Sequence, residues 1–322
     1  MKQLSWMVLG LSLALTLPLA ACENTRSKLD DLPGPGAAMP KALSIGSMAE
    51  ASADHSGTVE ERLTRIENTL AKYNASLELL GTVYDQQQQQ EQEQARSEPA
   101  PDAVFALAVA NDVKAGMVEG PATAPVTIVK AFDFACPYCM KANDTMKELV
   151  AEYGGKVRVV YKNLVVHPDT AMAGHLASCA AAKQQQYTAF KNAFWTKAFT
   201  PYAESRGQDP GKLGKATILA IAKDIGLDPT KLAADMDSEA CKTLIREDMA
   251  DLEKFQVTAT PTFFINGRLV AGLLPKEAFK TIIDEKLKIA EASGISGAAY
   301  YEQEIMGKGE PKFRSKQDPG PQ

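Results

Sequence analysis

Two cysteines separated by two residues, Cys136 and Cys139, carry the most reactive chemistry in this sequence. The apolar run at 126–129 before them predicts a buried strand, and the spacing of apolar residues after them predicts a helix. A cysteine at a helix N-terminus faces unpaired backbone N–H groups and the positive end of the helix dipole, which favour an anion. We therefore predict that Cys136 is a thiolate that attacks disulfides. Cys139 is then placed to displace the captured partner by closing an intramolecular disulfide.

Two other interpretations of the Cys136–Cys139 pair are half of a metal site and a structural disulfide. A zinc site uses about four nitrogen or sulfur ligands. The sequence has no second C-x-x-C and no histidine pair at ligand spacing. Spacing and context favour the redox interpretation, for which we expect neither a metal nor an organic cofactor.

The second informative motif is the segment 257–267, with the sequence VTATPTFFING. It predicts a strand that opens at Pro261 and ends in an Asn-Gly turn, which is typical of a β-hairpin. Together the two motifs resemble the thioredoxin superfamily, and within it the periplasmic DsbA-like branch, over about residues 105–290. The resemblance implies an α/β thioredoxin fold with an inserted helical subdomain at about 169–255. It also implies that Pro261 is cis beside the cysteines and that the Thr260 backbone pairs with an extended substrate.

Pro137 and Tyr138 lie between the two cysteines, and we expect both to contact the substrate. Whatever stabilises the thiolate at such a site favours the reduced form and makes the disulfide more oxidising. Tyr138 and Thr260 resemble the residues of DsbG-type and ScsC-type isomerases and reductases rather than those of the strong oxidant. The resemblance therefore implies a leaning toward disulfide isomerase or reductase activity, with net dithiol oxidation as the alternative.

One position departs from the pattern of this superfamily, whose members usually have Asp or Glu six residues before the first cysteine. Lys130 occupies that position here, and the nearest acid is Asp133, whose side chain need not point inward. A carboxylate that shuttles protons therefore cannot be assigned. Lys130 either favours the thiolate or lies exposed. We predict structural roles for His167 and His175.

The chain of 322 residues is long enough for one or two domains with a buried core. Its formal net charge of −5 provides no basic face for nucleic acid. Residues 1–21 combine Lys2 with an apolar run and end in Leu-Ala-Ala before Cys22, which resembles the lipobox of bacterial lipoproteins. The resemblance implies an acylated Cys22 and an extracytoplasmic protein anchored to a bacterial membrane. Ordinary secretory cleavage nearby is the alternative.

Two further cysteines, Cys179 and Cys241, remain. In an exported protein we expect such a pair to form a structural disulfide, and DsbA-like proteins carry cysteines at similar places in the helical insertion. The long loop that this disulfide closes predicts a stabilisation of roughly 4 kcal/mol. A second redox relay is the alternative, although neither cysteine has a C-x-x-C neighbour.

The N-terminal third of the chain has three predicted segments. Residues 22–57 are rich in Pro, Gly, Ala and Ser, which indicates a flexible tether. Residues 58–95 carry an unbroken heptad seam and a Gln-rich extension, which predict a coiled-coil helix that associates with copies of itself. Folding back onto the same chain is the alternative, and the number of copies is open. The seam residues are Val59, Leu63, Ile66, Leu70, Tyr73, Leu77, Leu80 and Tyr84. Residues 96–103 are the predicted linker.

The predicted DsbA-like domain covers 104–292, with an edge strand at 104–109 and a strand at 157–166 after the redox helix. Residues 293–322 are predicted to be a mobile tail. The expected partners are exported proteins with cysteines and a membrane redox protein. A function of another class, a periplasmic chaperone or a copper-binding module whose thiolates hold Cu(I), is also open.

Overall fold

The computed structural model describes residues 54–320. The predicted signal peptide, the acylation site at Cys22 and most of the predicted tether lie outside the described residues. The described residues divide into two units, one that ends at Leu79 and one that begins at Leu80. Within the span from 54 to 320, no helix has the length and apolar character that crossing a membrane demands.

The longest helix, α1, spans Val59–Ser97. It starts with a capping box, in which the Thr58 hydroxyl accepts the Glu61 N–H at 3.3 Å and the Glu61 carboxylate accepts the Thr58 N–H at 2.8 Å. Each side chain of the heptad seam is between 51% and 65% exposed in this single chain. The seam is therefore an apolar face that remains open to solvent.

The remaining helices of the described residues belong to the second unit. In chain order they are α2 (Ala110–Lys114), α3 (Pro137–Glu152), α4 (Pro168–Lys183), α5 (Tyr187–Phe194), α6 (Thr200–Glu204), α7 (Lys215–Asp224), α8 (Pro229–Met236), α9 (Glu239–Glu253), α10 (Lys276–Ala292) and α11 (Gly297–Tyr300). Short π-helical stretches occupy Trp195–Phe199 and Tyr301–Met306, and a 3-10 turn occupies Pro210–Leu213. Helices α4 to α9 form one block between two halves of the sheet.

The sheet of the second unit has five strands in the order β1-β3-β2-β4-β5. They are β1 (Val118–Glu119), β2 (Val126–Phe132), β3 (Val157–Asn163), β4 (Thr262–Ile265) and β5 (Arg268–Ala271). Strands β2 and β3 are parallel and buried along their whole length, whereas the other pairs are antiparallel. The β2–α3–β3 unit, the β4–β5 hairpin and α10 form the thioredoxin fold that the sequence predicted.

The β4–β5 turn shows why the sequence encodes a hairpin at this point. Asn266 and Gly267 both have positive φ, 42° and 80°, as a two-residue type I′ turn requires. The Asn266 side chain also accepts the Thr127 N–H at 2.8 Å, which ties the turn to β2. A side chain at Gly267 would meet Val104 at 2.5 Å, so this position needs glycine for space as well as for conformation.

Residues 96–109 differ from the prediction of a linker and an edge strand. No strand forms at 104–109, because the segment pairs with Glu310 through a single isolated bridge at Phe105 that does not extend into a ladder. The Phe105 N–H bonds to the hairpin turn at Gly267, and Phe105 itself is fully buried. The predicted linker is also partly ordered, since Ala100 is buried and donates to the Arg314 carbonyl.

The prediction of a mobile tail at 293–322 is wrong for the described part, which ends at 320. Tyr301 is buried and its hydroxyl donates to the Leu107 carbonyl at 2.8 Å. The Phe313 ring stacks on Phe105 with centroids 5.8 Å apart. These aromatic side chains cover one face of the core, so the segment gains enough apolar contact to be ordered.

Candidate functional site

The two cysteines lie where the strand-to-helix turn between β2 and α3 ends. Cys136 is the N-cap of α3, with φ −91° and ψ 120°, and Pro137 occupies the first helical turn, where its missing N–H costs no hydrogen bond. Both cysteines are free thiols. Cys136 is 5% exposed, and Cys139, one turn deeper, is fully buried.

The environments of the two sulfurs push their pKa values in opposite directions. A hydrogen bond from Cys139 is the largest cause that lowers the pKa of Cys136, to about 6. This value also includes the lowering effect of Thr260 and of the backbone N–H groups of Tyr138 and Cys139, and the opposing effect of burial. Burial raises the pKa of Cys139 well above its ordinary value. At neutral pH, Cys136 is therefore the thiolate and Cys139 keeps its proton.

The loop before β4 lies against the outer sulfur. The Thr260–Pro261 peptide bond is cis, and the Thr260 carbonyl oxygen is 3.5 Å from Cys136 Sγ. Among the residues from 54 to 320, none accepts a hydrogen bond from the Thr260 N–H. Half-buried Thr260 thus has an unused backbone donor beside Cys136.

Tyr138 is the largest exposed side chain next to the cysteines. Its ring is 58% exposed, and Lys141 Nζ lies 5.7 Å from the ring centroid. The backbone N–H of Tyr138 is one of the groups that lower the pKa of Cys136. The ring is therefore available to a molecule that docks at the helix tip.

Asp133 is a site residue whose orientation the sequence left undecided. It is fully buried, and its carboxylate accepts the N–H groups of Ala135 at 2.6 Å, Val166 at 2.6 Å and His167 at 2.9 Å. These bonds join the turn before Cys136 to the loop after β3. Strand β3 ends at Asn163 rather than at 166 as predicted. The Leu164 N–H still donates to β2 at Phe132, and the N–H groups of Val166 and His167 then turn toward the Asp133 carboxylate.

His175 is a buried histidine that forms hydrogen bonds with Asn163 and with the turn before Cys136. Its Nδ1 lies 2.7 Å from the Asn163 side-chain oxygen, and its Nε2 accepts the Phe134 N–H at 3.4 Å. Burial lowers the pKa of His175 to about 4, so the ring is neutral at physiological pH. His167 is half-exposed beside Asp133, with the two side chains 3.4 Å apart. Neither ring contacts a cysteine sulfur.

Lys130 is buried, which excludes the exposed alternative. It is 1% exposed, and its Nζ donates to the Cys139 carbonyl oxygen at 3.0 Å. Burial is the main reason why the pKa of Lys130 falls to about 7. The structure therefore has a titratable base beneath α3, at a position where members of the superfamily usually have an acid.

The other two cysteines are joined to each other, away from this turn. A Cys179–Cys241 disulfide links α4 to α9 within the helical block. Both sulfurs are buried. The structure thus keeps Cys136 and Cys139 together and assigns the remaining described cysteines to a separate bond.

Alkylation of Cys136 by iodoacetamide is expected to speed up as pH rises through about 6 and then to level off, because only the thiolate reacts. Cys139→Ala is expected to move this midpoint upward, since it removes the hydrogen bond that lowers the pKa most. Cys139→Ser keeps an O–H donor and should move the midpoint less. Mass spectrometry of the reduced protein across a pH series measures both. Equal midpoints in the two variants would contradict this role of Cys139.

Comparison with known proteins gives matches that each cover about half of the chain. The Na(+)/H(+) antiporter NhaA of Herminiimonas arsenicoxydans is 30% identical over 175 residues, which are 54% of this chain and 26% of the antiporter. The chain thus spans about a quarter of the length of that relative. Disulfide bond formation protein D of Bacillus subtilis is 26% identical over 185 residues, covering 55% of this chain and 79% of that protein.

A solved structure, that of a thioredoxin-like oxidoreductase from Silicibacter pomeroyi, is 29% identical with a TM-score of 0.47. The match covers 53% of this chain and 91% of that one. A family profile described as Thioredoxin matches residues 112–285, which are more than half of the sequence and include both cysteines of the pair. The chain therefore belongs to the thioredoxin family.

Proposed function

We propose that this protein is a thiol–disulfide oxidoreductase that acts on disulfides of exported proteins through Cys136 and Cys139. The observation that carries the proposal is the opposite protonation of the two sulfurs, with a thiolate at the helix tip and a buried thiol behind it. Both halves of an exchange reaction need such a pair. The similarity to a relative named for disulfide bond formation supports it.

The reaction follows from these positions. The Cys136 thiolate attacks one sulfur of a substrate disulfide, the substrate S–S bond breaks, and the departing thiolate takes a proton from solvent. Cys139 then loses its proton and attacks Cys136 Sγ, which forms the intramolecular disulfide and releases the second substrate sulfur. The substrate gains two electrons and the dithiol loses them. Net oxidation of a substrate is the same sequence in reverse.

The substrate contacts that we propose are Pro137, Tyr138, Thr260 and Pro261. The unused Thr260 N–H can donate to an extended segment of the substrate, as in strand addition. The exposed Tyr138 ring provides apolar area on the other side of Cys136. A substrate cysteine held between them would lie next to the Cys136 sulfur.

We assign the direction as isomerase or reductase, with net oxidase activity as the alternative. An isomerase has to attack wrong disulfides, for which Cys136 must be a free thiolate, and several catalytic domains around one substrate help. The exposed seam of α1 supports such an assembly. The stabilised thiolate also supports the alternative, because it favours the reduced form and makes the disulfide a stronger oxidant. A membrane redox partner, reducing or oxidising, would maintain the working state.

Equilibration with glutathione tests the exchange and its direction together. The purified protein is incubated at a series of ratios of reduced to oxidised glutathione, quenched with acid, and its Cys136–Cys139 disulfide is quantified by mass spectrometry. A couple that stays reduced even in mildly oxidising buffer has a high reduction potential and a strongly oxidising disulfide, which supports the oxidase. A couple whose disulfide persists until the buffer is strongly reducing has a low reduction potential, which supports isomerase or reductase activity. A protein that exchanges with no thiol under any ratio contradicts both.

We also propose that the lipid anchor at Cys22 attaches the protein to a membrane and that the seam joins copies of the chain. Leu63→Lys with Leu70→Lys is expected to convert the oligomer of the protein from residue 23 onward to a monomer, because two charges would enter the apolar seam. Thr64→Lys with Ala71→Lys adds the same charge one position off the seam and is the matched control. Light scattering measures the mass. A wild-type monomer would refute the assembly.

A further inference from the structure

The buried amine of Lys130 lies beneath α3, and it has no role in the exchange reaction described above. The Lys130 side chain is buried, and the Cys139 carbonyl oxygen accepts its hydrogen bond at 3.0 Å. An ammonium group has three N–H donors, and this carbonyl is the hydrogen-bond acceptor that it meets among residues 54–320. Burial of a charge without a paired carboxylate is costly, and such a group loses its proton instead.

Glu119, the carboxylate whose charge acts on Lys130, is already engaged by another lysine. Glu119 accepts a hydrogen bond from Lys191 Nζ at 3.0 Å and one from the Tyr161 hydroxyl at 2.5 Å. Lys191 also lies over the Tyr161 ring at 3.9 Å, whereas Lys130 Nζ is 5.8 Å from that ring. Lys191 therefore contributes repulsion to Lys130, and Glu119 offers it only distant attraction. The neutral amine is accessible near physiological pH.

The charged forms of Lys130 and Cys139 stabilise each other. A Cys139 thiolate raises the pKa of Lys130, and the Lys130 ammonium lowers the pKa of Cys139. The Cys136 thiolate acts on Lys130 in the same direction, more weakly. Transfer of one proton from the thiol to the amine converts a neutral pair into an ion pair without changing the net charge of the pocket. In a buried site, that attraction is strong.

On the basis of the proposed exchange reaction, we propose that Lys130 is the proton acceptor for Cys139 in the step that resolves the mixed disulfide. The proton passes from Cys139 Sγ to the neutral Lys130 amine. The freed electron pair on Cys139 forms the bond to Cys136 Sγ, and the bond from Cys136 to the substrate breaks. The substrate thiolate leaves, and the Lys130 ammonium later returns its proton to solvent. In the reverse direction the ammonium protonates Cys139 as it leaves.

The signature of this role is the pH dependence of resolution. In wild-type protein, the first-order rate of substrate release is expected to rise with pH and to level off above about pH 7, where Lys130 becomes neutral. Without a base, the rate follows the ionisation of Cys139 alone and keeps rising tenfold per pH unit through about pH 9. At pH 7, a variant without the base is expected to release substrate at least tenfold more slowly.

Quenched-flow mixing of the reduced protein with an excess of a disulfide peptide separates the two steps, because only mixed-disulfide formation depends on peptide concentration. Lys130→Met removes the amine, and Lys130→Gln removes the base but keeps an N–H donor for the Cys139 carbonyl. Both are expected to lose the levelling-off near pH 7. Lys130→Arg keeps the charge but cannot accept a proton. We therefore expect the rate of this variant also to show no levelling-off near pH 7. Each variant is first checked for cooperative unfolding.

The results separate the two proposals. A wild-type protein that forms no mixed disulfide overturns the exchange function and this role with it. A wild-type protein that resolves normally, together with a folded Lys130→Gln or Lys130→Arg variant that still levels off near pH 7, overturns only the role of Lys130. NMR of labelled lysine in the reduced wild-type protein tests the base even if no variant folds. A Lys130 amine that stays protonated to about pH 9.5 also overturns it.

Discussion

Replacing Cys136 with serine is expected to slow exchange with a disulfide peptide by at least about 1,000-fold, equivalent to roughly 4 kcal/mol of transition-state stabilisation. A serine hydroxyl is not ionised at neutral pH, whereas the Cys136 thiol has a pKa of about 6 and is mostly a thiolate. Removal of an attacking nucleophile commonly costs several orders of magnitude in rate. The peptide assay reports the loss directly as the rate of thiol release.

Cys139→Ser is the matched control, because it changes the second sulfur and leaves the first at the helix tip. It is expected to form the mixed disulfide between Cys136 and the peptide and then to accumulate it, since no sulfur remains to displace the substrate. Mass spectrometry after an acid quench distinguishes the two variants. Exchange that persists in Cys136→Ser, or a mixed disulfide attached to another cysteine, would refute the assigned nucleophile.

The features that sequence alone predicted depend on local order in the chain. Cys136 falls at a helix tip because Pro137 fits the first turn, and an apolar strand precedes it within a few residues. The Asn266–Gly267 turn is encoded by two residues that accept positive φ. Patterns of this kind have a fixed period or a fixed turn chemistry, so they can be identified before any tertiary contact is known.

The features that sequence missed depend on contacts between distant segments. The segment around Phe105 has the sequence pattern of an edge strand. In the structure, however, the Phe105 ring packs against Phe313, which is distant in the sequence. Asp133 turns inward because the N–H groups of Val166 and His167 are available to its carboxylate, which no short-range pattern encodes. The same holds for Lys130, since a lysine in an apolar strand is compatible with an exposed as well as a buried side chain.

A second buried lysine on the neighbouring strand gives the largest expected effect on stability. Lys162 is 2% exposed, and its Nζ lies 2.9 Å from Asp112 and 2.8 Å from Asp248, with Asp251 farther away at 3.4 Å. Asp248 also accepts two hydrogen bonds from Asn163, at 2.9 and 2.6 Å. The cluster thereby joins β3 to α2 and α9. The Lys162 ammonium group compensates the charge of the buried Asp248 carboxylate.

Lys162→Met is expected to lower the free energy of unfolding by roughly 3–5 kcal/mol, because it leaves the buried Asp248 carboxylate without its cation. That is a large part of the roughly 5–15 kcal/mol that stabilises a typical domain. Urea denaturation of the oxidised protein, followed by circular dichroism at neutral pH, measures the difference. A loss below about 1 kcal/mol would mean that the carboxylates find other partners or water.

Asp112→Asn is the control for Lys162→Met, because it removes the ionisable carboxyl of Asp112 and keeps the shape of the side chain. Burial, followed by repulsion from Asp248, raises the pKa of Asp112 to about 8, so its carboxyl is mostly protonated at neutral pH. A neutral amide of the same shape should therefore cost less than the loss of Lys162. The raised pKa of Asp112 also determines the direction in which stability changes with pH. The native state holds this proton and the unfolded state releases it near pH 4, so wild-type stability falls relative to Asp112→Asn as pH rises from about 4 to 8.

Asp248→Asn in the Lys162→Met background completes a double-mutant cycle. If the cost of Lys162→Met is that of an unpaired carboxylate at Asp248, removal of that charge should restore part of the lost stability, even though another native group has been changed. The asparagine oxygen can still accept from Asn163, so the bond between β3 and α9 is kept. Additive losses would instead show that Lys162 acts through packing of its aliphatic stem. The sign of the coupling thus decides whether charge compensation or side-chain packing holds α9 against the sheet.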